Sequence, residues 1–219
     1  MTAAQGLFIT LEGTEGVGKS TNLAFVESYL REHGRDVLVT REPGGTQLGE
    51  KVRSWVLEGE HGPLSAEVEA LLMFAARAHH LDRLIRPALA AGKAVVCDRF
   101  TDATLAYQGG ARGAAPDFLA TLQQAVQRGL EPQLTLLLDA PLDVGRTRIR
   151  DRRPDHFERE ENPFFERVRA AYLDLAKRYP GRIKVIDASR PLAEVQSLIA
   201  THLETLLATE KTWPTPAKP

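Results

Sequence analysis

The chain has 219 residues, 43% of them apolar and 26% charged, which suits one globular domain carrying at most a small mobile insertion. With 28 Lys and Arg against 29 Asp and Glu the formal charge is −1, so no overall field draws the protein to nucleic acid or to an anionic membrane. A single cysteine, Cys97, excludes an internal disulfide and a multi-cysteine zinc site, and its apolar neighbours Ala94-Val95-Val96 mark it as a small buried hydrophobe.

The opening MTAAQGLFITLEG lacks the basic and then apolar pattern of a secretory signal. No apolar run reaches the roughly 20 residues of a spanning helix, so a cytoplasmic location is expected. Leu7 to Glu12 reads as a first strand and Lys19 to His33 as a helix. Val37 to Thr40 is a second strand, followed by the loop Arg41-Glu42-Pro43-Gly44-Gly45. Helical pattern returns over Leu48 to Leu57 and Ser65 to Ala91, and Ala94 to Asp98 is a third strand. A polar turn follows Asp98, the polar stretch to Gly110 lies beyond the strand end, and a helix runs over Pro116 to Arg128. Leu134 to Asp139 is a fourth strand, Asp143 to Arg150 and Pro163 to Arg178 are helical, and Ile183 to Asp187 is a fifth strand. Leu192 to Leu207 closes the domain as an amphipathic helix, which places one domain over residues 1–208 and a loose Pro-rich tail over 209–219.

Continuous Val/Ile/Leu strands separated by helices predict an α/β fold, a parallel sheet covered on both faces. Ligands in such sheets bind beyond the carboxyl ends of the strands. Gly13-Thr14-Glu15-Gly16-Val17-Gly18-Lys19-Ser20 follows the first strand and opens a helix, the context of a phosphate-binding P-loop. Its backbone N–H groups are expected to cradle the phosphates of ATP, joined by Thr21, with Lys19 on the β- and γ-phosphates and Ser20 on Mg²⁺. Two strands end in Asp; Asp98 is the expected second metal-side carboxylate, whereas Asp139 reads as a cap for the following helix.

A monophosphate acceptor beside a triphosphate needs its repulsion cancelled, and arginine does this best because its planar fork grips phosphate bidentately. Arg41 and Arg99 follow strands, and Arg53 and Arg77 lie on helices. The stretch from Asp98 to Gly110 adds hydroxyl, phenol and amide groups that can read a sugar and a base, with Tyr107 placed to crowd a ribose 2′ position.

Four blocks, FITLEGTEGVGKST, TREPGGTQLGEKVR, CDRFTDATLAYQGG and the basic stretch before DHFE, together resemble bacterial thymidylate (dTMP) kinases over about Leu7 to Leu207. The resemblance implies a three-layer P-loop NTPase fold with a five-stranded parallel sheet, Mg·ATP as donor, dTMP as acceptor and a homodimer. It implies that Glu15 sits near the acceptor's 3′-hydroxyl and the metal. Arg41, Arg53 and Arg99 become the clamp on the acceptor phosphate, with Pro43 beside them. Arg77 becomes the contact to a thymine carbonyl, and Thr104, Tyr107 and Gln108 fall on base and sugar positions. One departure concerns the stacking phenylalanine of many relatives: position 73 is Met, and Phe74 is expected to take over the stacking, with Met73 as the alternative.

Arg146, Arg148, Arg150, Arg152 and Arg153 crowd into eight residues. The resemblance makes 146–160 a small arginine-rich lid, with Arg146 at ATP and one of Arg150, Arg152 or Arg153 stabilising the transferring charge. In-line transfer to an anionic phosphate needs no general base. The rivals are a deoxynucleoside kinase, which needs a base such as Glu42 for a 5′-hydroxyl, and a nucleotide switch or ATPase without a small acceptor.

Overall fold

The apolar runs become five strands, β1 (Leu7–Glu12), β2 (Val37–Arg41), β3 (Ala94–Asp98), β4 (Leu134–Asp139) and β5 (Ile183–Asp187). The computed structural model describes residues 6–58, 62–149 and 161–210; residues 150–160 of the expected lid, Arg150, Arg152 and Arg153 among them, lie outside, as does the chain beyond Glu210. The strands form one parallel sheet in the order β2-β3-β1-β4-β5. Leu11 of β1 lies opposite Asp98 of β3 and Leu136 of β4.

Every residue of β1 is buried because both faces of the sheet are covered. Leu7, Ile9 and Leu11 point into one core with Leu134, Leu136 and Leu138 of β4, while Phe8 points the other way, against Val95, Cys97 and Phe100. Alternation on a sheet closed on both sides thus appears in sequence as an unbroken apolar run.

The helices are α1 (Lys19–Glu32), α2 (Gln47–Glu58), α3 (Ala66–His80), α4 (Arg86–Ala90), α5 (Thr101–Thr104), α6 (Pro116–Gln127), α7 (Leu142–Ile149), α8 (Asn162–Arg178) and α9 (Leu192–Glu210). Ser65 caps α3, its Oγ accepting the N–H of Val68. The single helix expected over Ser65 to Ala91 contains a π turn, Leu81–Ile85, between α3 and α4. Pro87 offers no N–H and crowds the preceding turn, and the wider turn accommodates it.

The cap expected of Asp139 is corrected, and the stretch beyond Asp98 takes a form that the sequence left open. The stretch after Asp98 is helical, with α5 running into a π-helical segment, Leu105–Ala111. Its Thr and Gly residues are poor helix formers, and packing on α8 overrides them: a Cβ on Gly110 would lie 2.4 Å from the Ala171 Cβ. Asp139 caps no helix; Arg169 of α8 holds its carboxylate in a fork at 2.7 and 2.8 Å. α9 also runs past the expected Leu207 to Glu210.

Candidate active site

The carboxyl ends of β1, β2 and β3 open on one cleft of about 580 Å³, and Gly16, Gly18, Lys19, Ser20 and Thr21 form one of its walls. Gly13 and Gly16 have φ of 135° and 74°, values that side chains resist. A Cβ on Gly16 would lie 2.0 Å from the Gly145 carbonyl oxygen, so the loop and α7 touch through bare backbone. Val17 and Thr14 are buried, Val17 in the sheet core, and the loop therefore contributes main chain rather than side chains at these positions. Lys19 Nζ donates to the carbonyl oxygens of Gly13 (3.1 Å) and Thr14 (2.7 Å). Burial and then the neighbouring Arg99 charge lower its pKa to about 8.

Arg41, Arg53 and Arg99 line the same cleft. Arg99 has a left-handed backbone (φ 66°), held where its own N–H donates to Leu11 O (2.9 Å) and the next N–H, of Phe100, donates to Glu12 (2.7 Å). Its guanidinium donates to Glu15 (2.7 Å) and to the hydroxyls of Tyr107 and Tyr172 (both 3.1 Å). Tyr107 in turn donates to Glu15, so the sequence-predicted Glu15, Arg99 and Tyr107 form one contact group. Arg53 donates to the Pro43 carbonyl (3.2 Å); burial and then the Arg41 charge hold it below its ordinary value. Arg41 pairs with Glu50 at the rim (2.8 Å).

The far end of the cleft is built on Arg77, which is 2% exposed. Its Nε donates to Glu42 (2.7 Å) and its Nη2 to Thr104 (3.0 Å), while Nη1 is buried without a hydrogen-bond partner. Glu42 also accepts from His80 Nδ1 (2.9 Å), whose Nε2 lies 2.7 Å from the Thr40 hydroxyl. Gln108 and Met73 line the cleft beside them. Phe74 does not line it: the ring is buried beneath the Arg77 guanidinium, 4.6 Å from its centroid, and packs with Ala70 and Leu119. Successive helical residues point about 100° apart, so Met73 rather than Phe74 faces the cleft.

Arg146 is likewise corrected. It packs over the Phe165 ring (5.8 Å) and Arg148 lines the cleft instead, donating to the Ala188 carbonyl (3.1 Å). Asp98 lines the cleft at the end of β3 with Ser20, and its Oδ1 is buried without a hydrogen-bond partner. Among the described residues no cluster of three or more His, Cys, Asp or Glu could hold a metal by itself. An orphaned carboxylate oxygen beside a phosphate loop fits a hard cation that keeps waters and arrives with its nucleotide.

Two participants escaped the sequence reading. Glu12, fully buried at the end of β1, accepts from Phe100 N–H and from the Tyr172 hydroxyl (2.7 Å). Burial and then the Asp102 charge raise its pKa to about 8. The LEG ending of the first strand, a carboxylate inside an apolar run, was the available signal for Glu12; none pointed to Tyr172.

The family model described as thymidylate kinase matches residues 11–199. The thymidylate kinase of Methylococcus capsulatus is 58% identical over 93% of this chain and 97% of its own length. That of Pseudomonas putida is 56% identical over 87% of this chain and 91% of its own. The crystal structure of thymidylate kinase from Ehrlichia chaffeensis superposes with a TM-score of 0.74 at 32% identity, covering 91% of this chain and 99% of that one.

Proposed function

This chain belongs to the thymidylate kinase family and phosphorylates dTMP, and we propose that it does so by direct in-line transfer of the γ-phosphate of ATP. The observation that carries this reading is the presence of a P-loop and three arginines, Arg41, Arg53 and Arg99, in one cleft. One wall suits the triphosphate and the other a second, doubly charged phosphate. Bringing phosphate to Lys19 favours its charged form and draws the side chain off the loop carbonyls. Arg99 and the Arg41–Arg53 pair orient the acceptor phosphate and offset its charge. Its oxygen is already anionic, so no side chain has to remove a proton. Glu42, the base a nucleoside kinase would need, is committed to Arg77 and His80.

Ser20 and Asp98, partly through water, would hold Mg²⁺, which neutralises charge on the β- and γ-phosphates when bound. Arg148 completes the ATP side, and Arg150, Arg152 or Arg153 stabilises the transferring charge from the lid. Thr104 and Tyr107 meet the sugar and base of dTMP, and Met73 packs on the base. The enzyme serves dTTP synthesis in the cytoplasm; no helix among the described residues is long and apolar enough to cross a membrane. It works as a homodimer, for which the exposed apolar residues Leu48 and Trp55 of α2 and Val68 and Leu71 of α3 speak.

The test is an ADP-release assay with dTMP, dUMP, dCMP and thymidine as acceptors. dTMP is expected to drive turnover and thymidine to leave it at the background rate. Faster turnover with thymidine, or ATP hydrolysis indifferent to any acceptor, overturns the assignment.

A further inference from the structure

At the base end of the cleft, Gln108 is 3% exposed and its Nε2 donates to Glu69 Oε2 at 3.0 Å. Glu69, 2% exposed on α3, also pairs through its other oxygen with Arg112 Nε at 3.4 Å. A carboxylate only accepts hydrogen bonds. The amide end of Gln108 must therefore face Glu69, which turns its carbonyl end, Oε1, away from Glu69 in a residue that lines the cleft. Segment 105–111 cannot drift to change this, because Gly110 is already packed on Ala171 without room for a Cβ.

The geometry points to Glu69 as the positioning residue that sets base specificity, by fixing which end of the Gln108 amide meets the nucleotide. This rests on the dTMP reading of the cleft and extends it. Arg77 Nη1 supplies a donor without a partner, and Gln108 Oε1 supplies an acceptor. A pyrimidine with a 4-oxo group presents the complement, a carbonyl next to an N3–H. Cytosine presents the reverse, an amino group next to a bare N3, and so sets donor against donor at Arg77 and acceptor against acceptor at Gln108. Glu69 touches no substrate atom; it acts through Gln108.

The experiment uses the full-length enzyme and three acceptors: dTMP, dCMP and N3-methyl-dTMP. Wild type is expected to prefer dTMP over N3-methyl-dTMP by about 10⁴-fold in kcat/KM, the discrimination of a site built to hydrogen-bond the missing group. In Glu69→Gln the neighbouring amide accepts either end of Gln108. Preference for dTMP over both analogues is then expected to fall at least about tenfold, through a higher KM for dTMP with the KM for ATP unchanged. Wild type that turns over N3-methyl-dTMP as well as dTMP overturns the inference without recourse to any variant. So does a Glu69→Gln enzyme with undiminished discrimination. Wild type inactive on dTMP removes the reading of the cleft, and this inference with it; activity on dTMP with either of the two preceding results removes the role of Glu69 alone.

Discussion

On the donor side of the cleft, eight consecutive residues from Gly13 to Ser20 hold their shape through glycine conformations and main-chain packing against Gly145. On the acceptor side, the cationic groups come from four places: the end of β2 (Arg41), α2 (Arg53), α3 (Arg77) and the turn after β3 (Arg99). Each of those arginines has a protein acceptor: Glu50, the Pro43 carbonyl, Glu42 and Glu15 respectively. A backbone cradle tolerates change in its outward side chains and fails at its glycines. A clamp of guanidinium groups is only as well placed as the carboxylates and hydroxyls that hold it, many of them buried and far off in sequence.

The largest effect should separate the two sides outright. Gly16→Ala drives a Cβ into the Gly145 carbonyl and forces a left-handed alanine. kcat/KM for ATP is expected to fall about 10³-fold, equivalent to ~4 kcal/mol, while calorimetric binding of dTMP without ATP is retained. Equal loss of both would mean that the two walls are one cooperative unit.

Arg99→Ala is the reciprocal change. It removes the contacts to Glu15, Tyr107 and Tyr172 together, and kcat/KM for dTMP should drop about 10²- to 10³-fold. ATP affinity measured alone should change little. Unaltered dTMP kinetics would take Arg99 out of the clamp.

The smallest effect concerns Glu12, which lies under both sides. Its folded pKa of about 8 is above the ordinary 4.5, so the folded protein keeps a proton that the unfolded chain releases. The stability this gives is fully present below pH 4.5 and is lost as pH rises through about 8. Glu12→Gln cannot titrate. Its Tm relative to wild type is therefore expected to climb by about 5 °C between pH 5 and 9 in thermal scans. A constant difference across that range would show that Glu12 is ionised in the fold throughout.

Much of this was legible in the sequence, for a local reason. The five strands, their parallel sheet, the P-loop and Asp98 are contiguous patterns, and strand-end arginines fall at the mouth of a parallel sheet by topology alone. What misled were helical faces. Phe74 and Met73 are neighbours in sequence but point about 100° apart, and the choice between them belonged to the packing of α3 against Leu119 and the Arg77 guanidinium. Arg146 and Arg148 divide in the same way between the Phe165 ring and the cleft.

The order of residues determined the phosphate cradle, since its glycines stand together between a strand and a helix and only main chain, at Leu138 and Gly145, has to pack against them. Only the tertiary structure decided how the clamp is aimed. Tyr172 meets Glu12 across 160 residues and Gln108 meets Glu69 across 39. A buried hydrogen bond of that kind exists only after the fold has brought both partners out of water, and no spacing along the chain records it.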